Sequence, residues 1–118
     1  SSWLMASLTL KPAGLLSGAG SVMPDLQVAL FQAVQAGDLG RAQAINDRIY
    51  PLAQAFYRPP FLDMHNRMKE CLVLLGRVDK AVVRPPLLKL EKSEIDQLAV
   101  ALRQAGLLSD APELRAAG

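Results

Sequence analysis

The chain has 118 residues, 51% of them hydrophobic and 20% charged, with a net charge of +2. These values fit one globular domain and exclude an intrinsically disordered chain. The 13 Lys and Arg residues are scattered among 11 Asp and Glu residues, so no basic stripe predicts nucleic-acid binding. No apolar run reaches the roughly 18 residues of a membrane span, and the single cysteine excludes an internal disulfide. We expect a cytoplasmic protein.

The N-terminal residues predict a helix and then a strand. Trp3, Leu4 and Leu8 begin an apolar helical pattern, without an initiating Met. Residues 14–17 form a short apolar run bounded by glycines, which is typical of a buried parallel strand. A lone strand leaves its backbone hydrogen-bonding groups unpaired. The rest of the sheet is therefore expected from elsewhere, and the N-terminal part of the protein is expected to be missing from this chain.

Four further helices are predicted from apolar spacing and from their end signals. Pro24 suits the first turn of one helix, Asp38 is expected to cap the next, and Ser93 is expected to cap the last. Glycines are placed to end three of the helices in the left-handed conformation, namely Gly37, Gly76 and Gly106. The chain is thus predicted to be mostly α.

Several segments, in this order and spacing, resemble the dihydrodipicolinate synthase and N-acetylneuraminate lyase family. The first is Lys-Pro-Ala-Gly-Leu-Leu-Ser-Gly-Ala-Gly-Ser-Val-Met-Pro at residues 11–24. Ala-Gly-Asp-Leu at 36–39 and Asn-Asp-Arg-Ile-Tyr-Pro-Leu at 46–52 follow it. The later matches are Met-Lys-Glu at 68–70, Arg-Pro-Pro-Leu at 84–87 and Ala-Gly-Leu-Leu at 105–108.

The resemblance implies the last helix–strand–helix stretch of a (β/α)8 TIM barrel, followed by a C-terminal helical region. On this interpretation, residues 1–37 end the barrel, residues 38–108 form the helical region, and residues 109–118 are a tail. Two departures from the family pattern argue against dihydrodipicolinate synthesis itself. Ser21 replaces the usual Asn, and His65 stands where the synthases often carry Lys.

The family's chemistry implies a lyase or aldolase whose lysine forms a Schiff base with pyruvate or another 2-oxo acid. That lysine and the proton-relay tyrosine lie upstream of the matching segment, so no catalytic residue is expected here. Tyr50 and Tyr57 do not match the relay tyrosine. None of the lysines matches the Schiff-base position: Lys11, Lys69, Lys80, Lys89 and Lys92. The chain alone is therefore expected to be inactive, and no cofactor is expected.

One wall of a substrate pocket is expected at the end of the predicted strand, because barrel active sites lie at the carboxyl ends of the strands. By resemblance, the side chain of Leu16 packs over the Schiff base, while Ser17 and Gly18 line the space for the rest of the substrate. The expected partners are a 2-oxo acid such as pyruvate, the missing N-terminal barrel part and further copies of the protein, as a dimer or tetramer.

The remaining reactive residues favour structural roles. Cys71 lies in an apolar stripe and is interpreted as an inert buried thiol. Asp63 and His65 are two residues apart and do not share a helix face, so no metal site is predicted. The alternative function is a helical protein-interaction module without catalysis, although no 34-residue period recurs. A third possibility is a truncated product that pairs with other copies through its exposed apolar faces.

Overall fold

A computed structural model describes residues 2–109, and these residues fold into five α-helices. The helices are α1 (Leu4–Thr9), α2 (Pro24–Gln35), α3 (Leu39–Tyr57), α4 (Met64–Leu74) and α5 (Lys92–Gln104). Two short 3-10 helices, Gly18–Ser21 and Phe61–Asp63, precede α2 and α4. The mostly α prediction is confirmed for the described part of the chain. The predicted tail lies outside it, apart from its first residue, Ser109.

The helix ends follow the rules that predicted them. Pro24 occupies the first turn of α2, and the Asp38 side chain accepts a hydrogen bond from the Arg41 backbone N–H at 3.0 Å, which caps α3. Three glycines adopt positive φ angles just beyond α2, α4 and α5. The backbone N–H of the residue that follows each glycine donates to the carbonyl five residues before it, which completes a Schellman motif.

The predicted cap at Ser93 is wrong. Helix α5 begins two residues earlier than that cap implies, at Lys92, and Glu91 is its N-cap. The Glu91 carbonyl accepts the backbone N–H groups of Glu94 and Ile95, so the chain is already helical when it reaches Ser93. In the same turn, Lys92 pairs with Asp96 four residues on, at 2.8 Å. A serine in the first helical turn therefore mimicked a capping signal.

The hydrophobic core lies where α3 packs against α2, α4 and α5. The long α3 continues through Pro51 to Tyr57 and contributes Ile49, Leu52 and Phe56 to this core, while Leu98 and Leu102 enter it from α5. The guanidinium of Arg48 donates two hydrogen bonds to the Ala105 carbonyl, at 3.0 and 2.9 Å. This contact fixes the end of α5 on α3.

No β-strand is assigned within residues 2–109, so the predicted strand at residues 14–17 is not formed by this chain. The segment is nevertheless not helical, and Ser17 has extended φ and ψ angles of −143° and 127°. Leu15 is partly exposed and Leu16 is fully exposed. A strand requires a neighbour for its hydrogen-bond ladder, and the described residues contain no second extended segment paired with this one.

Candidate functional site

The segment that the sequence singled out lies along α2 and borders an open cavity of about 550 Å³. Residues 13–17 form one side of the cavity, and α2 forms the other with Val28 and Phe31 among its side chains. Two of the three predicted pocket residues, Leu16 and Ser17, line this cavity. None of the five lysines lines it.

The third predicted pocket residue, Gly18, faces α4 instead. A Cβ atom placed on Gly18 would lie 3.6 Å from Met68 Sδ and 3.9 Å from His65 Cε1. Met68 is buried, and His65 is exposed. Leu16 and Ser17 therefore border the cavity beside α2, whereas Gly18 lies against the beginning of α4.

The Ser17 side chain is fixed by a hydrogen bond from α2. Its hydroxyl accepts a hydrogen bond from the Gln27 amide at 3.0 Å, and Gln27 is only 6% exposed. Burial raises the pKa of Tyr57, and a hydrogen bond with the Ser17 side chain partly offsets that rise. The Tyr57 ring stacks on Phe61 with ring centroids 6.2 Å apart. The bond from Gln27 ties Ser17 to α2.

The loop that follows Gly18 is anchored by a cation. The Arg77 guanidinium donates hydrogen bonds to the carbonyls of Ser21 and Val22, at 3.1 and 2.9 Å. The Ser21 hydroxyl donates to the Gly18 carbonyl at 2.8 Å. The loop is therefore closed by its own side chain at one end and fixed to the end of α4 at the other.

Helix α4 is positioned by a buried arginine. Arg67 is fully buried, and its guanidinium donates to the Phe56 and Arg58 carbonyls at 3.0 and 2.6 Å and to the Glu94 carboxylate at 2.8 Å. Arg58 binds the same Glu94 oxygen at 2.9 Å. This cluster joins the end of α3 to α4 and α5, and it fixes the helix that carries His65 and Met68.

Sequence reasoning missed Gln27, Tyr57 and Arg67. A signal was present for two of them, because Gln27 and Arg67 are polar residues at inward-facing positions of otherwise apolar stripes. A polar side chain at such a position needs a buried partner. No comparable signal marks Tyr57, whose contact with Ser17 spans 40 residues of sequence.

The prediction of an inert thiol is supported by the surroundings of Cys71. The side chain is fully buried, and burial, together with the Glu70 carboxylate, raises the pKa of Cys71 to about 12. His65, Cys71 and the acidic residues form no cluster able to hold a metal ion within the described part of the chain. Among residues 2–109, no helix is long and apolar enough to cross a membrane.

Comparison with known proteins identifies the family. A model of the Dihydrodipicolinate synthetase family matches residues 3–105. A 4-hydroxy-tetrahydrodipicolinate synthase from Nitrobacter hamburgensis is 38% identical over 96 residues, which cover 81% of this chain and 31% of the relative. The corresponding synthase of Methanoculleus marisnigri is 35% identical over 95 residues, or 80% of this chain and 31% of the relative.

A third relative extends the match. An uncharacterized DapA-like lyase from Halobacterium salinarum is 34% identical over 107 residues, which cover 91% of this chain and 34% of the relative. The chain thus spans about a third of the length of the curated relatives that it matches. The match runs through the extended segment, the loop and all five helices, and the chain belongs to the dihydrodipicolinate synthase family.

Proposed function

We propose that this chain is the C-terminal section of a Schiff-base-forming lyase or aldolase that acts on pyruvate or another 2-oxo acid. The observation that carries the proposal is the non-helical segment at residues 14–17, exposed at residues 14–16 and extended at Ser17, in a chain of this family. Burying the side chains of Leu15 and Leu16 and pairing their backbone groups requires neighbouring strands. Residues outside this chain would supply those strands as the rest of a β/α barrel.

The chemistry is divided between the two parts in this proposal. A lysine of the missing part attacks the ketone carbon of the 2-oxo acid, and a C=N bond forms as water leaves. This chain contributes a pocket wall, in which Leu16 covers the Schiff base and residues 17 and 18 border the rest of the substrate. The exposed Leu16 side chain is available for this role, because nothing in the described residues covers it.

Trapping with borohydride tests the proposal. The chain alone, incubated with pyruvate and borohydride, should show no mass increase, because none of its lysines occupies the Schiff-base position. A chimera should gain a reduced pyruvyl group. The chimera joins the part of the Nitrobacter hamburgensis synthase that precedes its matching segment to residues 1–118. A folded chimera without an adduct would contradict the proposal, and an adduct on the chain alone would contradict the assignment of its lysines.

The helical interaction module is the weaker reading. An all-helical module is compatible with the absence of an assigned strand in residues 2–109. However, paired-helix repeats have helices of similar length joined by short turns. Here α3 has 19 residues and α4 has 11, and a connection of 17 residues, 75–91, separates α4 from α5.

Further copies of the protein are also proposed as partners, in a dimer or tetramer. The exposed apolar side chains include Trp3, Leu16 and Leu88, and such side chains favour association when they are contiguous. Sedimentation of the chimera should give a mass of two or four subunits. A monomer at micromolar concentration would contradict this part of the proposal.

A further inference from the structure

Among residues 2–109, hydrogen bonds hold the segment at residues 14–17 only at its last residue. The Ser17 carbonyl accepts the Gly20 backbone N–H at 3.2 Å, and the Ser17 hydroxyl accepts the Gln27 amide N–H at 3.0 Å. Residues 14–16 form no hydrogen bond with any other described residue, and all three are exposed. The orientation of the whole segment therefore depends on how firmly Ser17 is fixed.

The two bonds at Ser17 differ in what they connect. The bond from Gly20 closes a turn of three residues within the loop, so it moves together with the segment. The bond from Gln27 comes from α2, ten residues along the chain, and α2 packs against α3. The Gln27 side chain thus joins an exposed segment to the packed helices.

Gln27 is itself closely confined. The residue is buried, and a Cβ atom placed on Gly20 would lie 3.1 Å from Gln27 Oε1, so the amide fills the space beside the Gly20 backbone. One side of the amide is therefore packed and the other is hydrogen-bonded to Ser17. A buried side chain that is locked in this way is suited to holding a neighbouring residue of a binding site in place.

We propose that Gln27 is a positioning residue, which acts through Ser17 to fix the pocket wall that borders the substrate beyond the Schiff base. This inference rests on the proposed function, because it takes Ser17 as part of that wall. Pyruvate has only a methyl group beyond its ketone carbon, whereas 2-oxohexanoate has a butyl chain. Loss of the Gln27 bond should therefore weaken the binding of 2-oxohexanoate more than that of pyruvate.

The test uses borohydride trapping in the chimera. The concentration that gives half-maximal adduct is measured for 2-oxohexanoate and for pyruvate, and the first value is divided by the second. Gln27→Leu removes the N–H donor and should raise this ratio by about two- to tenfold, the factor that one neutral hydrogen bond contributes to an equilibrium. Gln35→Leu is the matched control, because Gln35 is exposed at the end of the same helix, and it should leave the ratio unchanged.

A second variant removes the same bond from its other end. Ser17→Ala should raise the ratio by a similar factor, and Gln27→Leu added to Ser17→Ala should raise it no further, because the two residues share one interaction. A Gln27 that served only the fold would lower the trapping of both ligands and the urea midpoint without moving the ratio.

Two results would overturn the inference while pyruvate trapping remains intact. One is an unchanged ratio in Gln27→Leu or in Ser17→Ala, and the other is a double variant in which the two effects add. Failure of the unmutated chimera to trap pyruvate would instead overturn the proposed function, and this inference with it.

Discussion

The helical region and the segment before α2 differ in how far their apolar side chains are buried and their polar groups are hydrogen-bonded within the chain. In α3, α4 and α5, side chains as large as Phe56, Leu98 and Arg67 are fully buried, and the arginine has a partner for each of its donor nitrogens. In the segment at residues 14–17, Leu16 is fully exposed and the backbone has no ladder within the described chain. The helical region is therefore stabilised by contacts within this chain. The segment at residues 14–17 has the apolar composition of a buried element, but no described residue covers Leu16.

The sharpest test of this contrast is the buried arginine. Arg67→Ala removes the donors to Phe56 and Arg58 and leaves Glu94 with a weaker partner. Breaking a buried charged pair by removing one partner costs about 3–5 kcal/mol, and urea unfolding of the chain measures the loss. Arg58→Ala is the matched control, because the Arg58 side chain is 36% exposed and such pairs contribute about 1 kcal/mol or less. Equal losses in the two variants would contradict the assigned role of Arg67.

A pair of leucines compares the two regions directly. Leu98→Ala removes a buried side chain of α5 and leaves a cavity in the hydrophobic core. It should lower the free energy of unfolding by about 2–5 kcal/mol. Leu16→Ala removes a side chain that is already in solvent and should change it by no more than about 0.5 kcal/mol. Thermal and urea unfolding check both values. A large loss from Leu16→Ala would mean that the segment has an internal partner, and the contrast would fail.

The cap of α3 should have a smaller effect. Asp38→Ala removes the acceptor for the Arg41 N–H, and losing such a cap costs about 1 kcal/mol. Asp47→Ala is the control, since that carboxylate is exposed on the same helix and its loss should stay within about 0.5 kcal/mol. Urea unfolding of the two variants side by side gives the difference. Equal values would show that the cap adds nothing beyond charge.

The smallest expected effect is a pH dependence from Glu94. Burial by itself would raise the pKa of this carboxyl, but hydrogen bonds and charge from Arg67 and Arg58 outweigh it and hold the pKa below its ordinary value of 4.5. A carboxyl with a lower pKa in the folded state stabilises the fold above its unfolded pKa and loses that contribution as pH falls through the folded pKa. The urea concentration at the midpoint of unfolding should therefore decrease as the pH is lowered below about 4.5. This decrease should be smaller in Glu94→Gln. An identical acid profile in the variant would contradict the prediction.

Local rules predicted the helices well, because their signals are contained in a few adjacent residues. The glycines at 37, 76 and 106 end helices as expected, and Asp38 is a cap. Ser93 misled the same rules because the preceding Glu91 carbonyl had already begun α5. The predicted strand at residues 14–17 is not assigned, because no second extended segment pairs with it within residues 2–109, and local patterns do not report whether a ladder partner exists.

The site was predictable in outline and not in detail. The glycine-bounded run predicted a strand at residues 14–17, and the family resemblance implied that Leu16, Ser17 and Gly18 line a pocket. The contacts of Ser17 with Gln27 and of Gly18 with His65 join residues 10 and 47 positions apart, and no spacing rule reaches so far. That these three residues line a substrate pocket stays a prediction.

The chemistry of Cys71 offers a practical consequence. The only thiol among 118 residues is buried and has a pKa of about 12, so little thiolate is available to a maleimide at neutral pH. A second cysteine introduced by Leu16→Cys would consequently accept a fluorophore by itself, with the native thiol left in place. The emission of that dye would report, as a change in polarity, whether added barrel residues cover the segment, as the proposed function requires.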